Sequence, residues 1–156
     1  MPVCTDVRTQ QHSMIIKSYP DGGYILFWED MRNTASQQDI YAQKFDKNGN
    51  ALWAANGVPV TTGLNNQHLY TATNADYRNY SYAATDSAGG FYITYIDDSL
   101  NNYYWPRICV QHIRKNGTAV FTGAGYIIAT TPSGQGFTLG SPQLIADGNN
   151  GFYIGY

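Results

Sequence analysis

The chain repeats its own sequence, and this feature limits the possible folds more than any other. One unit contains a Gln, an extended segment, Asp-Gly-Gly, an aromatic run, Asp-Ile-Tyr-Ala-Gln, Asn-Gly and a Val-Pro-Val tail. A second, more divergent copy follows, and about half of a third comes after it. Repeats of this length that consist of strand-like segments are typical of stacked sheets, such as the blades of a propeller.

The copies align without gaps over their most apolar parts. Residues 21–30 align with 88–97, and both segments place Gly-Gly before a run of large apolar residues. Residues 150–156 match the same run a third time, and residues 47–53 align with 115–121 around an Asn-Gly pair. We therefore divide the chain into the end of a preceding blade at 1–10, repeat 1 at 11–62, repeat 2 at 63–131 and a partial repeat 3 at 132–156.

Composition favours strands and turns over helices. Charged residues make up only 13% of the chain, and Tyr occurs 14 times beside many Gly, Asn and Thr residues. The net charge is −2 and no basic cluster is present, which argues against binding to a nucleic-acid backbone. No apolar run approaches the length of a membrane span.

Each unit is predicted to form four strands. An almost unbroken apolar run, as in Tyr24–Glu29, is typical of a strand that is buried on both faces. Asn48-Gly49 is the strongest hairpin signal, and Asp30–Gln38 is expected to be a polar connection. The strands predicted for the first unit are Ser13–Tyr19, Tyr24–Glu29, Asp39–Asp46, and a fourth made of Ala51–Trp53 and Val58–Thr61.

The second unit follows the same plan after a longer lead-in rich in Tyr, Asn and Ala, at Tyr70–Asp86. Its predicted strands are Phe91–Ile96, Arg107–Arg114 and Ala119–Thr130. The sequence thus predicts an all-β chain made of four-stranded antiparallel propeller blades. Propellers close with about four to eight blades, and bare strand edges aggregate unless they are paired. We expect a fragment of a larger array; the alternatives are a self-associating chain, whose copies complete one another's sheets, and a small open sandwich.

The first unit carries four motifs in order: W-x-D-x-R at 28–32, D-I-Y-A-Q at 39–43, G-x-x-L-W at 49–53 and G-V-x-V at 57–60. In this respect it resembles a propeller repeat of large secreted and cell-surface proteins of Bacteroidetes-type bacteria. The resemblance implies an extracellular β-propeller-like array, and it implies no catalytic residues. The second unit departs from the motifs, with Tyr95, Ser99, Arg107 and Phe121 in place of Trp, Arg, Asp and Trp.

Two adjacent acidic pairs lie at predicted strand ends: Glu29 with Asp30, and Asp97 with Asp98. Paired carboxylates can act as acid and as nucleophile or base in glycoside hydrolysis. Consecutive strand residues point to opposite faces, however, so a neighbouring pair is not a facing pair. Because Asp30 and Asp97 recur at one repeat position, we expect them to bind backbone N–H groups or a nearby arginine.

Histidines and cysteines show no metal-binding spacing. The sequence favours structural or surface positions for His12, His68 and His112. Cys4 and Cys109 are expected to be either two small unpaired hydrophobic residues or a disulfide. No metal or cofactor site is predicted.

Aromatic residues in two polar stretches are the best candidates for ligand contact. Tyr and Trp on loops provide rigid, amphipathic contact area for sugars or for a protein partner, although ordinary packing between sheets also uses them. The candidate ligand-binding residues are Tyr77, Tyr80, Tyr103, Tyr104 and Trp105.

The sequence therefore predicts an extracellular binding or adhesion module, secreted or displayed on the cell surface of a bacterium, without catalysis of its own. Its ligand would be a glycan or a protein, and its other partners would be the remaining blades of a parent chain or further copies of itself. A fragment of a propeller-type glycoside hydrolase or lyase and a structural spacer are the alternatives.

Overall fold

The computed structural model describes residues 3–6, 10–34, 37–69, 82–98, 107–130 and 142–156. Over these residues the chain is all-β, with antiparallel strands in three sheets and no helix. The described part of the chain thus contains no helical segment that could cross a membrane.

The first sheet is an antiparallel meander whose four strands lie in sequence order. In the second sheet four of the five strands also lie in sequence order, and the third sheet is a single two-stranded hairpin. The strands are β1 Gln10–Ser18, β2 Tyr24–Thr34, β3 Gln37–Phe45, β4 Val58–Pro59, β5 Gln67–His68, β6 Ala83–Thr85, β7 Phe91–Asp97, β8 Arg107–Ile113, β9 Tyr126–Thr130, β10 Gln143–Ala146 and β11 Phe152–Gly155.

The first strand of the second sheet is divided in two. β5 and β6 both pair with β7, one near each end of it, so together they occupy the position that β1 has beside β2. Residues 70–81 connect the two pieces. In the first sheet, β1 also loses its regular register, between Gln10 and Met14, at the same end of the sheet.

The predicted polar connection at Asp30–Gln38 is wrong for most of its length. β2 continues to Thr34, β3 begins at Gln37, and Asp30 lies opposite Asp39 in the ladder. A buried carboxylate is tolerated here because the indole N–H of Trp28 and the backbone N–H of Arg32 both donate to Asp30.

The fourth strands are shorter than predicted. Ala51 and Ala119 make only isolated bridges, and β4 and β9 begin later in the chain. A buried glutamine holds the intervening backbone instead: the Gln43 Oε1 accepts from the backbone N–H of Trp53, at 3.1 Å, and Gln111 binds Phe121 in the same way, at 3.0 Å. Because the glutamine side chain accepts a hydrogen bond from this backbone segment, the segment does not need a neighbouring strand there.

The sheets stack face to face. The core between the first and second sheets includes Ile25 and Phe27 from β2 and Ile93 and Tyr95 from β7. The opposite face of the second sheet packs through Tyr92 against the hairpin of the third. The second sheet therefore packs with one face against the first sheet and with the other against the third, and the described sheets do not form a closed ring.

The tail of the first unit crosses to the second sheet. Val60 lies in the core between the two sheets, and the backbone N–H of Thr62 donates to the Gly123 carbonyl at 3.1 Å. The segment 3–6 has the same relation to the first sheet: Val3 packs on its outer face, and the Thr5 N–H donates to the Asn56 side-chain oxygen at 2.8 Å.

Both cysteines are free. Cys109 is buried between the first and second sheets, whereas Cys4 packs on the opposite face of the first sheet. The disulfide alternative is therefore wrong for this structure. Burial raises the pKa of the Cys109 thiol to about 12, as expected of a small residue in an apolar core.

Candidate functional site

A histidine joins two carboxylates where the first and second sheets meet. The His68 Nε2 lies 3.1 Å from a carboxylate oxygen of Asp98, and its Nδ1 lies 4.0 Å from Glu29. Glu29 also accepts a hydrogen bond from the backbone N–H of Leu69, at 2.7 Å. We call Glu29, His68 and Asp98 the histidine junction.

The histidine junction is buried, and this determines its charge. Burial acts to lower the pKa of His68, but the contacts with Asp98 and Glu29 outweigh it and raise the pKa to about 9. At neutral pH the imidazole is therefore positively charged and balances part of the charge of two buried carboxylates. A histidine that keeps its proton in this way is suited to holding two sheets together rather than to shuttling protons at neutral pH.

The other two acidic residues are held by arginines, as predicted. In the first sheet, Arg32 binds the Asp30 carboxylate at 2.5 Å. In the second sheet, Arg107 binds Asp97 at 3.0 Å, from the neighbouring strand. Asp30 and Asp97 are both completely buried, so each of these ion pairs neutralises a charge inside the protein.

The sequence identified these acidic residues but not their grouping. Glu29 is adjacent to Asp30 in the chain, and Asp98 is adjacent to Asp97, yet the structure brings Glu29 and Asp98 to the same histidine from different sheets. His68 belongs to a Gln-His pair that is repeated in the sequence, which favoured a structural or surface position, and the structure gives it a structural one. Only the stacking of the sheets reveals its two partners.

A shallow groove lies where the first strands of the three sheets approach one another. Its volume is about 280 Å³, and small side chains and short stretches of strand edge form most of its wall. The lining residues are Lys17, Ser18, Ala83, Ala84, Thr85, Leu144, Ile145 and Ala146. Within the described ranges, no three His, Cys, Asp or Glu side chains are grouped so that they could hold a metal ion.

The five aromatic residues predicted to bind ligand lie outside the described residues, in segments 70–81 and 99–106. The residues that precede these segments are described. Leu69 follows His68 directly, and Asp98, which contacts His68, precedes the second segment. The last described residue before each of these segments, Leu69 or Asp98, therefore lies at the histidine junction.

Comparisons with models of protein families, with curated proteins and with solved structures found no match for this chain.

Proposed function

We propose that this chain is a non-catalytic binding module that acts outside the cell and is built from blades of a β-propeller-like array. Its ligand is a glycan or a protein, bound by the aromatic residues of segments 70–81 and 99–106. The observation that carries the proposal is the histidine junction, because it fixes the starting points of both segments at one place.

The first support is the use of the acidic residues. Glu29 and Asp98 hold His68, and Asp30 and Asp97 hold arginines. A pair of carboxylates that performs glycoside hydrolysis must face the scissile bond from two sides, with one of them protonated and free to donate. These four side chains instead form the contacts that join strands and sheets, which favours binding over catalysis.

The second support is the position of the residues that precede the segments. The backbone N–H of Asp98 donates to the Asn66 carbonyl at 2.9 Å, so the strand before one segment is tied to the strand before the other. Aromatic residues that are rooted together on a rigid sheet provide a contact surface at a low entropic cost. Tyr77, Tyr80, Tyr103, Tyr104 and Trp105 remain the proposed ligand contacts.

The blade arrangement is supported by contacts that join one sheet to a turn of the sheet after it. The Lys44 ammonium donates to the Gly89 carbonyl at 2.6 Å, and the Tyr92 hydroxyl donates to the corresponding carbonyl of the next sheet, that of Asn150. Gly89 and Asn150 both have positive φ, so equivalent turn residues accept these bonds. The donors come from different strands, β3 and β7, but in both cases the donor lies on one sheet and the acceptor lies on the turn before the central strand of the sheet after it. A radial array likewise joins each blade to the next one.

The experiment is a glycan array probed with the wild-type chain and with a Tyr103→Ala/Trp105→Ala variant. We expect the wild type to bind at least one glycan class and the variant to lose at least about tenfold in affinity, since a stacked sugar ring depends on an aromatic face. A Tyr153→Ala/Tyr156→Ala variant removes two exposed rings elsewhere and is the matched control. Full retention of binding by the first variant would reject this surface, and a wild type that binds no glycan would reject the glycan ligand.

A further inference from the structure

Two buried aspartates face each other at one end of the first sheet. Asp30 of β2 lies directly opposite Asp39 of β3 in the ladder, so both side chains lie on the same face of the sheet. Asp30 is completely buried, and Asp39 is only 3% exposed. Two neighbouring carboxylates that are shielded from water repel each other unless a positive charge or a proton compensates for them.

Only one of the two carboxylates has a cationic partner. Arg32 binds Asp30, which also accepts hydrogen bonds from the Trp28 indole and from the Arg32 backbone. Among the described residues, Asp39 accepts one hydrogen bond, from the Asn33 side-chain amide to Oδ2, at 2.6 Å. Its Oδ1 is buried and has no hydrogen-bond partner. This unpartnered oxygen is the atom at which a proton can bind.

The surroundings of Asp39 do not supply the missing charge. Segment 63–66, which binds the start of β3, contains no ionisable side chain. The titratable and charged groups that face Asp39 come from β2, β3 and segment 3–6, and they are Asp30, Arg32, Tyr41 and Cys4. Arg32 is the one cation among these groups, and its guanidinium already binds Asp30 and lies 3.9 Å from the centre of the Tyr41 ring. With both carboxylates ionised, two negative charges would face one positive charge.

The second sheet has a permanent positive charge at the same place. Arg107 of β8 occupies the ladder position of Asp39, and it lies opposite Asp97, the counterpart of Asp30. Arg107 binds Asp97 at 3.0 Å, so the two charges cancel without a proton. The first sheet has an acidic side chain at the position of this cation. It reaches the same neutral state only when one of its two carboxyl groups holds a proton.

We propose that the Asp30–Asp39 pair is a proton-binding switch, in which Asp39 holds a proton on Oδ1 in acidic solution and releases it as the pH rises. Burial raises the pKa of Asp39, the bond from Asn33 opposes this, and the charge of Asp30 raises the pKa further. The Asp30 Oδ1 accepts one described hydrogen bond and has a second lone pair for the Asp39 O–H. This inference concerns the first sheet and does not rest on the proposed function.

The start of β3 connects the switch to its surroundings. The backbone N–H of Gln38 donates to the Asn66 side-chain oxygen at 2.9 Å. The Asn66 backbone carbonyl accepts in turn from the backbone N–H of Asp98, a member of the histidine junction. Ionisation of Asp39 places repulsion between β2 and β3 directly beside the first of these bonds. We therefore expect the Gln38 amide to exchange faster with solvent when Asp39 is ionised.

The first measurement is a ¹³C NMR titration of the whole chain with labelled aspartate. The Asp39→Asn variant assigns the carboxyl resonance of Asp39, because the substitution removes it. We expect this resonance to titrate above 3.8, the ordinary aspartate pKa. Asp46, on a turn of the same sheet, is the internal reference, because bonds from Asn50 lower its pKa. An Asp39 resonance that titrates at or below 3.8 would overturn the proposal.

Urea unfolding at several pH values is the second measurement. A raised pKa means that the proton stabilises the folded chain at low pH, and this contribution is lost as the pH rises through the folded pKa. The stability of Asp39→Asn relative to the wild type should therefore increase as the pH rises from 3.8 towards neutral. The Gln38 amide should also exchange more slowly in this variant than in the wild type at neutral pH.

Asp46→Asn is the matched control for unfolding. Its difference in stability from the wild type should stay constant above pH 3.8, because a lowered pKa acts below that value. If the difference between Asp39→Asn and the wild type is constant in the same way, the switch is absent. Equal exchange of the Gln38 amide in the two chains at neutral pH would likewise reject the effect on β3.

Discussion

In the first sheet, one arginine makes two bonds that organise the end of the sheet. Arg32 pairs with the buried carboxylate of Asp30, and its other terminal nitrogen donates to the Asn56 carbonyl at 3.0 Å. The second sheet contains no arginine at the corresponding position, because Ser99 stands there. Two other residues of the second sheet make the equivalent bonds.

Arg107 is the first of them, and it pairs with Asp97 from the neighbouring strand. Tyr95 is the second, and its hydroxyl donates to the Ala124 carbonyl, which corresponds to that of Asn56. The departures of the second unit from the motifs of the first are therefore coordinated replacements. Both sheets contain a buried aspartate with a cationic partner and a backbone carbonyl that accepts a side-chain hydrogen bond. Different residues supply the cation and the donor in the two sheets.

Arg107→Asp has the largest expected effect on stability, because it removes the cationic partner of Asp97 in the second sheet. The change places at position 107 the aspartate that the first unit has at position 39, but the second sheet has no counterpart of Arg32. Asp97 is then buried without a cation and lies beside a second carboxylate. Removal of one partner of a buried ion pair costs about 3–5 kcal/mol, and we expect a loss of about 4 kcal/mol in the free energy of unfolding. Urea denaturation followed by tryptophan fluorescence measures it.

The control adds the missing arginine. A Ser99→Arg/Arg107→Asp variant has the motif of the first unit, and it should recover part of the lost stability, although residue 99 lies outside the described residues. If Arg107→Asp alone is as stable as the wild type, the ion pair with Asp97 is not what replaces Arg32.

Two glycines test whether the sheets share a close backbone approach. Gly57 and Gly125 have φ of +82° and +83°, and a Cβ on Gly57 would lie 2.5 Å from the Trp28 ring and 2.7 Å from the Ala42 carbonyl. A Cβ on Gly125 would meet the Tyr95 hydroxyl and the Val110 carbonyl. We expect Gly57→Ala and Gly125→Ala each to cost about 3 kcal/mol, from steric overlap added to backbone strain.

Gly148→Ala separates these two causes. Gly148 has a φ of +82°, but a Cβ at this position would meet no heavy atom within 4 Å, so only the strain remains. We expect it to cost about 1 kcal/mol in thermal or urea unfolding. Equal losses for all three variants would mean that close approach contributes nothing.

The histidine junction predicts a dependence of stability on pH. The pKa of His68 is raised from 6.5 to about 9 in the folded protein, so its protonation stabilises the fold fully below about pH 6.5. That contribution is lost as the pH rises through about 9. We expect the free energy of unfolding to fall by about 2 kcal/mol over this range.

His68→Gln should flatten this profile, because glutamine can keep a hydrogen bond to Asp98 but does not titrate. Asp98→Asn should reduce the slope as well, since it removes the stronger of the two contacts. A wild-type profile that is already flat between these pH values would contradict the raised pKa.

The smallest expected effect concerns the aromatic residue that follows each Asn-Gly turn. The Trp53 indole N–H donates to the Lys115 carbonyl of the second sheet at 3.0 Å, whereas Phe121 has no such group. Trp53→Phe makes the first unit resemble the second and should cost about 1 kcal/mol. Leu52→Ala changes a neighbouring exposed side chain, and its expected effect on unfolding is below about 0.5 kcal/mol.

Local signals predicted the central strands of the first two sheets. The apolar run at Tyr24–Glu29 and the aligned run in the second unit are buried central strands, because burial on both faces requires large apolar residues throughout. Local polarity misled the prediction at Asp30–Gln38, where bonds from Trp28 and Arg32 keep a polar residue inside the ladder. The propeller arrangement and the ligand-binding residues remain predictions.

The candidate site was less accessible to sequence reasoning. Glu29 and Asp98 are far apart in the chain, and only the stacking of two sheets brings both to His68. The equivalence of Arg32 and Arg107 is also not visible in the sequence. Arg32 binds an aspartate of its own strand, whereas Arg107 binds an aspartate of the neighbouring strand. Pairings between distant segments carry no local signature.

The crossing of the first unit's tail onto the second sheet means that the sequence unit and the structural unit do not have the same boundaries. Thr62 belongs to the first unit by sequence but is bonded to Gly123 of the second sheet, and Thr5 has the same relation to Asn56. Duplication of one whole unit of the sequence, wherever its boundaries fall, would therefore supply both a tail and a sheet to which such a tail can bind.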